Sequence, residues 1–395
     1  MSTTRRLSKS ACSPAPTTCI PASHARCVSN PNRIMKKAQP VLVVENDPFL
    51  RCSVSSSIPN IPIRNASPRQ RFFAHDLPDF NGWLTQLRGR LKKLYPATVH
   101  LVDDEAALRK HLPDADIAVI ESLRVGPAEL VLAPRLRAVQ KYGAIASSID
   151  EPACAARQIA VLKLRRRANI ACAEHAIAMI LGLSRQLHRV INRISTQSLQ
   201  AAGFSPRTYD RRHTANSNWA RVPGITLLHG TTLGIVGMGE IGREVALRAT
   251  GFGMNILYHQ RTRMPQALET EYHAHYAELD TLLETCDWVV ICLPGNDNTR
   301  HLFNARRLAQ MKPGARLINI SRAEIVDREA VLGALRSGRL GGFALDPLHE
   351  APGRDDDELL QFENVLLTPH IAAQPRFNAL NDIADLITGL EEQLK

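Results

Sequence analysis

Three polar segments in the second half of the chain carry side chains able to hold a carboxylate and move a proton. Each follows an apolar, strand-like run, and together they supply Arg322, Asp346, Glu350 and His370. In an open α/β sheet, the carboxyl ends of the strands form the edge where small molecules bind. An arginine there can pair with a carboxylate, and a histidine held by a carboxylate can donate a proton near neutral pH. This combination fits chemistry at a carbonyl group next to a carboxylate.

A glycine-rich loop lies upstream of these segments. An apolar run leads directly into a G-x-G-x-x-G sequence, and a helical pattern follows it. Gly237 permits a tight turn, Gly239 leaves room for a pyrophosphate, and Gly242 lets the helix pack closely on the strand. The free N–H groups at the helix start favour an anion. A dinucleotide site is therefore predicted at Gly237, Gly239, Glu240, Ile241 and Gly242. Together with the arginine and histidine downstream, it predicts the reduction of a 2-oxoacid.

The end of the next strand selects the form of the dinucleotide. An NAD-selective site carries a carboxylate about 20 residues after the loop, where it accepts from the ribose 2′-OH. Gln260 stands at that place, and Arg261, Thr262 and Arg263 follow. Because no carboxylate repels a 2′-phosphate and Arg261 or Arg263 can pair with it, the sequence favours NADP(H). NAD(H), bound through Gln260 or backbone groups, is the alternative.

Two series of alternating strand-like and helical patterns must position these residues. One series ends near residue 169, and the other runs from about 232 to 367. Such alternation predicts an α/β protein with two Rossmann-like or flavodoxin-like doubly wound parallel sheets. A long helix over about 171–190 and an irregular stretch over 195–229 separate the two series. A final helix is predicted over 377–394.

The basic excess is concentrated at the N-terminus. The formal net charge of the 395 residues is +11, and residues 1–40 hold seven lysines and arginines and no acidic residue. This composition predicts a disordered basic tail and is that of an organelle transit peptide. If the tail is one, a mitochondrion or other organelle is the predicted location; otherwise it is the cytoplasm. A nucleic-acid partner is disfavoured, because no aromatic residue is interleaved with the charges.

Composition excludes other classes. Hydrophobic residues make up 44% of the chain, enough for two cores. No apolar run approaches the roughly 18 residues of a membrane-spanning helix, so no membrane partner is expected. The eight cysteines form no C-x-x-C pair, which argues against a disulfide scaffold or a structural zinc site. We expect no metal.

In combination the motifs resemble the D-isomer-specific 2-hydroxyacid dehydrogenase family, which includes glyoxylate/hydroxypyruvate reductases and D-lactate and phosphoglycerate dehydrogenases. The resemblance runs from about residue 41 to the C-terminus. Besides the three polar segments, it rests on the helix motif Ala173-Glu174-His175, the strand start Thr232-Leu233-Gly234, the pair Leu293-Pro294 and the turn Met311-Lys312-Pro313-Gly314.

The resemblance implies roles for individual residues. Arg322 would bind the substrate, His370 would be the acid/base, and Glu350 would be the partner of His370. The backbone N–H groups of the loop Gly143-Ala144-Ile145 would bind the substrate carboxylate. A further set of residues would line the cofactor cleft, with the last one contacting the nicotinamide amide: Leu293, Pro294, Thr299, Ile320, Ser321 and Asp346.

The resemblance also implies the layout of the chain. Residues 41–169 would form the first part of the substrate domain, and 170–368 would be an inserted dinucleotide-binding domain. Residues 369–395 would return to the substrate domain. A homodimer is implied as well, with an arm in the region 195–219.

Three features depart from the family's pattern. Ala323 stands where glycine usually follows the arginine, and the loop 143–147 holds only one of two expected glycines. Glu350 follows Asp346 by four residues, one fewer than usual, which puts Ala351 at the expected place. If the loop does not compensate, His370 loses its carboxylate partner.

The predicted reaction is the reduction of a small 2-oxoacid of the glyoxylate or hydroxypyruvate type to the D-2-hydroxyacid, with the proton from His370. One alternative is an NAD-dependent dehydrogenase of the D-3-phosphoglycerate or D-lactate type. Another is a dinucleotide-sensing protein of the corepressor kind on the same fold, which would bind cofactor and turn over slowly.

Overall fold

Two parallel β-sheets account for most of the chain in the computed structural model, which describes residues 39–48, 50, 77, 79–207 and 219–394. The predicted fold class, two doubly wound α/β domains, is confirmed. The basic tail predicted over 1–40 lies outside the described residues, apart from its last two. No helix among the described residues is long and apolar enough to cross a membrane.

The first sheet has five strands in the order β2-β1-β3-β4-β5, and all neighbours are parallel. Its strands are β1 (Val41–Glu45), β2 (Thr98–Val102), β3 (Ile117–Ile120), β4 (Ala138–Lys141) and β5 (Ala160–Leu162). The helices described between them are α1 (Phe80–Arg90), α2 (Glu105–His111), α3 (Pro127–Val131) and α4 (Glu151–Ala156), with a 3-10 turn at Leu112–Asp114. Strands β3 and β4 are buried at every position, as expected for the centre of a covered parallel sheet.

The second sheet has seven parallel strands in the order β12-β11-β10-β9-β6-β7-β8. Its strands are β6 (Thr232–Val236), β7 (Asn255–His259), β8 (Ala274–Tyr276), β9 (Trp288–Ile291), β10 (Arg316–Asn319), β11 (Gly342–Leu345) and β12 (Val365–Leu367). Helices α8 (Glu240–Gly251), α9 (Gln266–Glu271), α10 (Leu279–Thr285), α11 (Ala305–Gln310) and α12 (Arg328–Arg336) alternate with them, with 3-10 turns at Ala323–Ile325 and Glu358–Gln361. The strand order reverses between β6 and β9, and ligands bind at such a switch point.

Four helices join or close the two sheets: α5 (Arg167–Ser184), α6 (Leu187–Val190), α7 (Thr196–Ala201) and α13 (Phe377–Gln393). Leu380 and Ile383 of α13 share a hydrophobic core with Leu42 of β1, so the chain returns to the first sheet after completing the second. The fully buried carboxylate of Asp382 accepts a hydrogen bond from the backbone N–H of Arg167 at 3.0 Å. This contact joins α13 to the start of α5.

Two details differ from the sequence predictions. The helix predicted over 171–190 ends at Ser184, because Gln186 adopts a left-handed φ of 55° and the N–H of Thr226 donates to the carbonyl of Ser184. Strand β8 was not predicted, since its three residues, Ala-His-Tyr, do not form an apolar run. Both depend on tertiary contacts rather than on local pattern.

Candidate functional site

The glycine loop has the geometry that a pyrophosphate requires. Gly237 follows β6 directly and has a φ of 102°, and a Cβ there would lie 2.5 Å from the carbonyl oxygen of Cys292. A Cβ on Gly242 would lie 2.1 Å from the carbonyl oxygen of Gly237, so only glycine permits this approach of helix and strand. At Gly239, the N-cap of α8, a Cβ would meet nothing within 4 Å. The loop therefore has space beside the helix N-terminus, where backbone N–H groups can bind an anion.

A cavity of about 790 Å³ lies at the carboxyl ends of β9, β10 and β11. Cys292, whose carbonyl touches the glycine loop, is part of its wall. The cavity brings together many of the residues singled out from the sequence: Ile241, Leu293, Pro294, Ile320, Ser321, Arg322, Asp346 and His370. Sites that are far apart in the chain thus face one space.

The turn that carries Arg322 is held by a buried asparagine. Asn319, at the end of β10, donates to the carbonyl of Arg322 at 2.8 Å and accepts from the N–H of Ser321 at 2.9 Å. The Ser321 hydroxyl donates to the carbonyl of Ile291 on β9 at 2.8 Å. The exposed guanidinium of Arg322 is therefore presented to the cavity by a fixed turn, and Asn319 is a positioning residue that the sequence reasoning missed.

Two small residues lie near this arginine, one opposite its side chain and one next to it in the chain. A Cβ on Gly295 would lie 2.6 Å from Cγ of Arg322, so the glycine permits the side chain to pass. Ala323, which departs from the family's glycine, is buried in the core of the second sheet at the start of a 3-10 turn. Its methyl group is accommodated there.

Asp346 organises the segment that carries His370. Its fully buried carboxylate accepts from the hydroxyl of Thr368 at 2.6 Å and from the N–H groups of Ile371 at 2.8 Å and Ala372 at 2.9 Å. The backbone N–H of His370 donates to the Asp346 carbonyl at 3.0 Å. His370 itself has a left-handed φ of 57°, a conformation that side chains adopt only when neighbours fix it. Its imidazole is left exposed on the cavity wall.

The ionised state of Asp346 is stabilised by these contacts. Burial alone would raise its pKa, but hydrogen bonds from His175, Thr368 and the two backbone N–H groups outweigh it and lower the pKa to about 2. His175 Nε2 lies 3.0 Å from the Thr368 hydroxyl and 3.4 Å from the carboxylate. His175, in the helix motif Ala173-Glu174-His175, thus contacts both Thr368 and Asp346.

Replacing Asp346 with asparagine should destabilise the protein in a pH-dependent way. The carboxylate's pKa lies below the ordinary 3.8, so its contribution is present above about pH 4 and is lost as the pH falls toward 2. At pH 7 we expect the free energy of unfolding to fall by about 2 kcal/mol. Denaturant unfolding at pH 7 and pH 3 measures this, and a difference from wild type that stays constant between the two pH values would contradict it.

Glu350 does not reach His370. Both residues are exposed, and among the described residues no hydrogen bond or ion pair joins them. Glu350 is also absent from the wall of the main cavity, and its charge acts instead on Arg354, whose pKa is raised first by Asp356 and then by Glu350. The expected pairing is therefore not formed in this structure, in which the Glu350 side chain is exposed.

Arg261 and Arg263, the two arginines expected near a 2′-phosphate, differ in their hydrogen-bond and ion-pair partners. Arg263 makes a bidentate ion pair with the buried carboxylate of Glu269, at 2.8 and 2.9 Å. Hydrogen bonds from Arg263 and then Tyr258 lower the pKa of Glu269 to about 2. Gln260 donates to the carbonyl of Thr262, whereas the side chain of Arg261 is exposed and makes no ion pair within the described part of the chain. The two arginines thus differ, because Arg263 has an acidic partner and Arg261 has none among the described residues.

The two remaining groups of predicted site residues lie beside the main cavity. Thr299 donates to the carbonyl of Pro294 at 2.8 Å and so holds the loop after β9. In the loop after β4, the N–H groups of Ala144 and Ile145 both point to one carboxylate oxygen of Glu240, at 2.8 and 3.3 Å. The glycine loop and the predicted substrate loop are thus in direct contact.

The cysteines of the cavity wall are not poised for thiolate chemistry. Burial raises the pKa of Cys172 to about 11, and burial also raises that of Cys292. Both thiols therefore stay protonated near neutral pH. The other polar side chains that line this cavity include those of Arg322 and His370.

A glycine loop shaped for a dinucleotide, next to a cavity that holds an arginine and a histidine, defines an oxidoreductase of the two-domain α/β type. Comparison with known proteins agrees. Residues 177–372 match the family model described as D-isomer specific 2-hydroxyacid dehydrogenase, NAD binding domain. The glyoxylate reductase of Thermococcus gammatolerans is 36% identical over 263 residues, which are 65% of this chain and 72% of that protein. Glyoxylate/hydroxypyruvate reductase B of Klebsiella pneumoniae is 33% identical over 284 residues, 69% of this chain and 81% of that one.

The chain belongs to the D-isomer-specific 2-hydroxyacid dehydrogenase family and is an oxidoreductase that acts on CH–OH donors with a nicotinamide dinucleotide. The resemblance stated from the sequence motifs is confirmed. Among solved structures, the apo D-mandelate dehydrogenase of Rhodotorula graminis superposes with a TM-score of 0.51 at 21% identity, over 90% of this chain and 94% of that one. This last likeness is one of fold.

Proposed function

We propose that this chain reduces a small 2-oxoacid of the glyoxylate or hydroxypyruvate type to the D-2-hydroxyacid with NADP(H). The observation that carries the proposal is that Arg322 and His370 line one cavity beside the glycine loop. The names of the relatives from Thermococcus and Klebsiella support this substrate class. When bound, the cofactor supplies the hydride.

The residues of the chain do the rest. Arg322 and the N–H groups of Ala144 and Ile145 bind the substrate carboxylate, and Arg322 also polarises the adjacent carbonyl. His370 donates a proton to the carbonyl oxygen, and Asp346 holds the segment that places the imidazole. Leu293 and Ile320 give the cavity apolar walls, which strengthen the ion pair by lowering the local dielectric.

The test follows the loss of NADPH or NADH absorbance with glyoxylate, hydroxypyruvate and pyruvate in turn. Rapid turnover with NADPH and one of the first two substrates is expected. Tight binding of cofactor without turnover on any 2-oxoacid would reject the proposal in favour of a dinucleotide-sensing protein.

Arg261 should set the preference for NADPH. We expect Arg261→Ala to raise the KM for NADPH roughly tenfold, the value of one charge-assisted contact to a 2′-phosphate, and to leave that for NADH within twofold. Steady-state kinetics with each cofactor measures the ratio. The control is Arg306→Ala, which removes an exposed arginine on α11. Equal effects on both cofactors would show that Arg261 makes no contact with the phosphate.

The region after α5 should mediate a homodimer. Apolar side chains are exposed there, with 58% of Ile191, 85% of Ile194 and 67% of Leu227 accessible, and such patches mark interaction sites. The arm predicted over 195–219 adjoins them, although 208–218 lie outside the described residues. Sedimentation should give a dimer at micromolar concentration, and Ile191→Glu with Ile194→Glu should give a monomer. A monomeric wild type would overturn this prediction.

A further inference from the structure

The side chain of Glu240 turns away from the glycine loop on which it lies. Glu240 is the first residue of α8, immediately after Gly239. Its Oε1 accepts from the N–H groups of Ala144 at 2.8 Å and Ile145 at 3.3 Å, and its Oε2 accepts from the amide of Asn169 at 2.5 Å. Arg166 Nε lies 3.5 Å from Oε2. One carboxylate thus receives three hydrogen bonds and an ion pair.

These donors form a complete carboxylate site by themselves. Two successive backbone N–H groups converge on one oxygen, an arrangement that binds anions. Asn169 is buried, and the Arg166 guanidinium stacks 5.0 Å from the centre of the Tyr142 ring, so both are held in place. All of them come from the loop after β4 or from the start of α5, and none comes from the helix that carries Glu240. The donors therefore do not depend on the backbone of α8 for their positions.

The Glu240 carboxylate fits closely against the loop, and a cavity lies beside its side chain. A Cβ on Gly143 would lie 2.2 Å from Oε1, so the loop has glycine where the carboxylate approaches. Only 16% of the Glu240 side chain is exposed. A neighbouring cavity of about 270 Å³ is lined by Ala144, Ile145 and Glu240 itself. The side chain has space into which it can withdraw.

We propose that Glu240 is an internal competitor that occupies the N–H groups of Ala144 and Ile145 in place of the substrate carboxylate. A 2-oxoacid binds these groups only when Glu240 has swung out. Because the two carboxylates exclude each other, the internal one lowers the affinity for every 2-oxoacid that uses this loop. The inference rests on the proposed function, in which the loop binds the substrate.

The probe is oxamate, a 2-oxoacid analogue that carries the carboxylate but resists reduction. Its Kd is measured by calorimetry with the full chain and NADPH present, for wild type and for Glu240→Gln. Glutamine keeps the shape and loses the charge, so we expect oxamate to bind about tenfold more tightly, which corresponds to ~1.4 kcal/mol. The KM for glyoxylate should fall by a similar factor.

The matched control is Glu271→Gln, which removes an exposed acidic charge from the wall of the same small cavity. It should leave the oxamate Kd unchanged. An effect seen only in Glu240→Gln then comes from loss of the competing carboxylate and not from the change in net charge. A second variant, Glu240→Ala, and the Tm of each protein show whether the loop stays folded. Unchanged or weaker oxamate binding in Glu240→Gln, or no oxamate binding to any form, overturns the inference.

The two proposals fail in different ways. Tighter oxamate binding to Glu240→Gln without turnover of any 2-oxoacid would support the competition by Glu240 and reject the proposed reductase activity. Turnover by the wild type, with the same oxamate Kd in both proteins, would keep the reductase and reject the competitor.

Discussion

Arg322→Ala should lower kcat/KM for the 2-oxoacid roughly a thousandfold and leave the Kd of NADPH within twofold. The guanidinium faces the cavity from a turn fixed by Asn319, so its forked donors can hold a carboxylate bidentately. Loss of two charge-assisted hydrogen bonds, each worth about 2 kcal/mol, accounts for the size of the effect. Steady-state kinetics with glyoxylate and hydroxypyruvate measures it.

Arg322→Lys is the informative comparison. Lysine keeps the charge but lacks the planar fork, so an intermediate loss is expected. Arg306→Ala, on the surface of α11, is the control and should be near wild type. If Arg322→Ala retained more than a tenth of the wild-type kcat/KM, another cation of the cavity would be the substrate's partner.

His370→Asn should lower kcat between about a hundredfold and ten-thousandfold, the range of a lost general acid. Asparagine suits this position because it tolerates the left-handed φ of 57°, so the imidazole is removed without strain on the backbone. The hydrogen bonds of Asp346 to the following residues do not involve the imidazole and should remain. Single-turnover kinetics with preformed cofactor complex measures the chemical step.

Glu350→Gln tests whether Glu350 acts on His370, as the family's pattern implies, or lies apart from it, as in the structure. Because Glu350 is exposed and makes no hydrogen bond to His370, we expect kcat to stay within about threefold of wild type. A loss as large as that in His370→Asn would show that the loop after Asp346 brings the carboxylate to the imidazole during turnover.

The fold could be predicted from the sequence because its signals are local. The apolar run of β3 is buried throughout, and the glycine spacing after β6 is required by backbone contacts at Gly237 and Gly242. Elements without such a signal were missed. Strand β8 is three residues long and forms by pairing with β7.

The sequence by itself determined the family, the dinucleotide loop and the residue types of the cavity, since each of these is written in short motifs. Only the tertiary structure decided which charges meet. Arg261 and Arg263 look equivalent in the chain, yet Arg263 is bound to Glu269 six residues later. The resemblance pairs Glu350 with His370, yet no hydrogen bond joins the two side chains in the structure. Glu240 contacts a loop nearly a hundred residues upstream. Pairings between side chains depend on distance and burial, which a linear pattern does not encode.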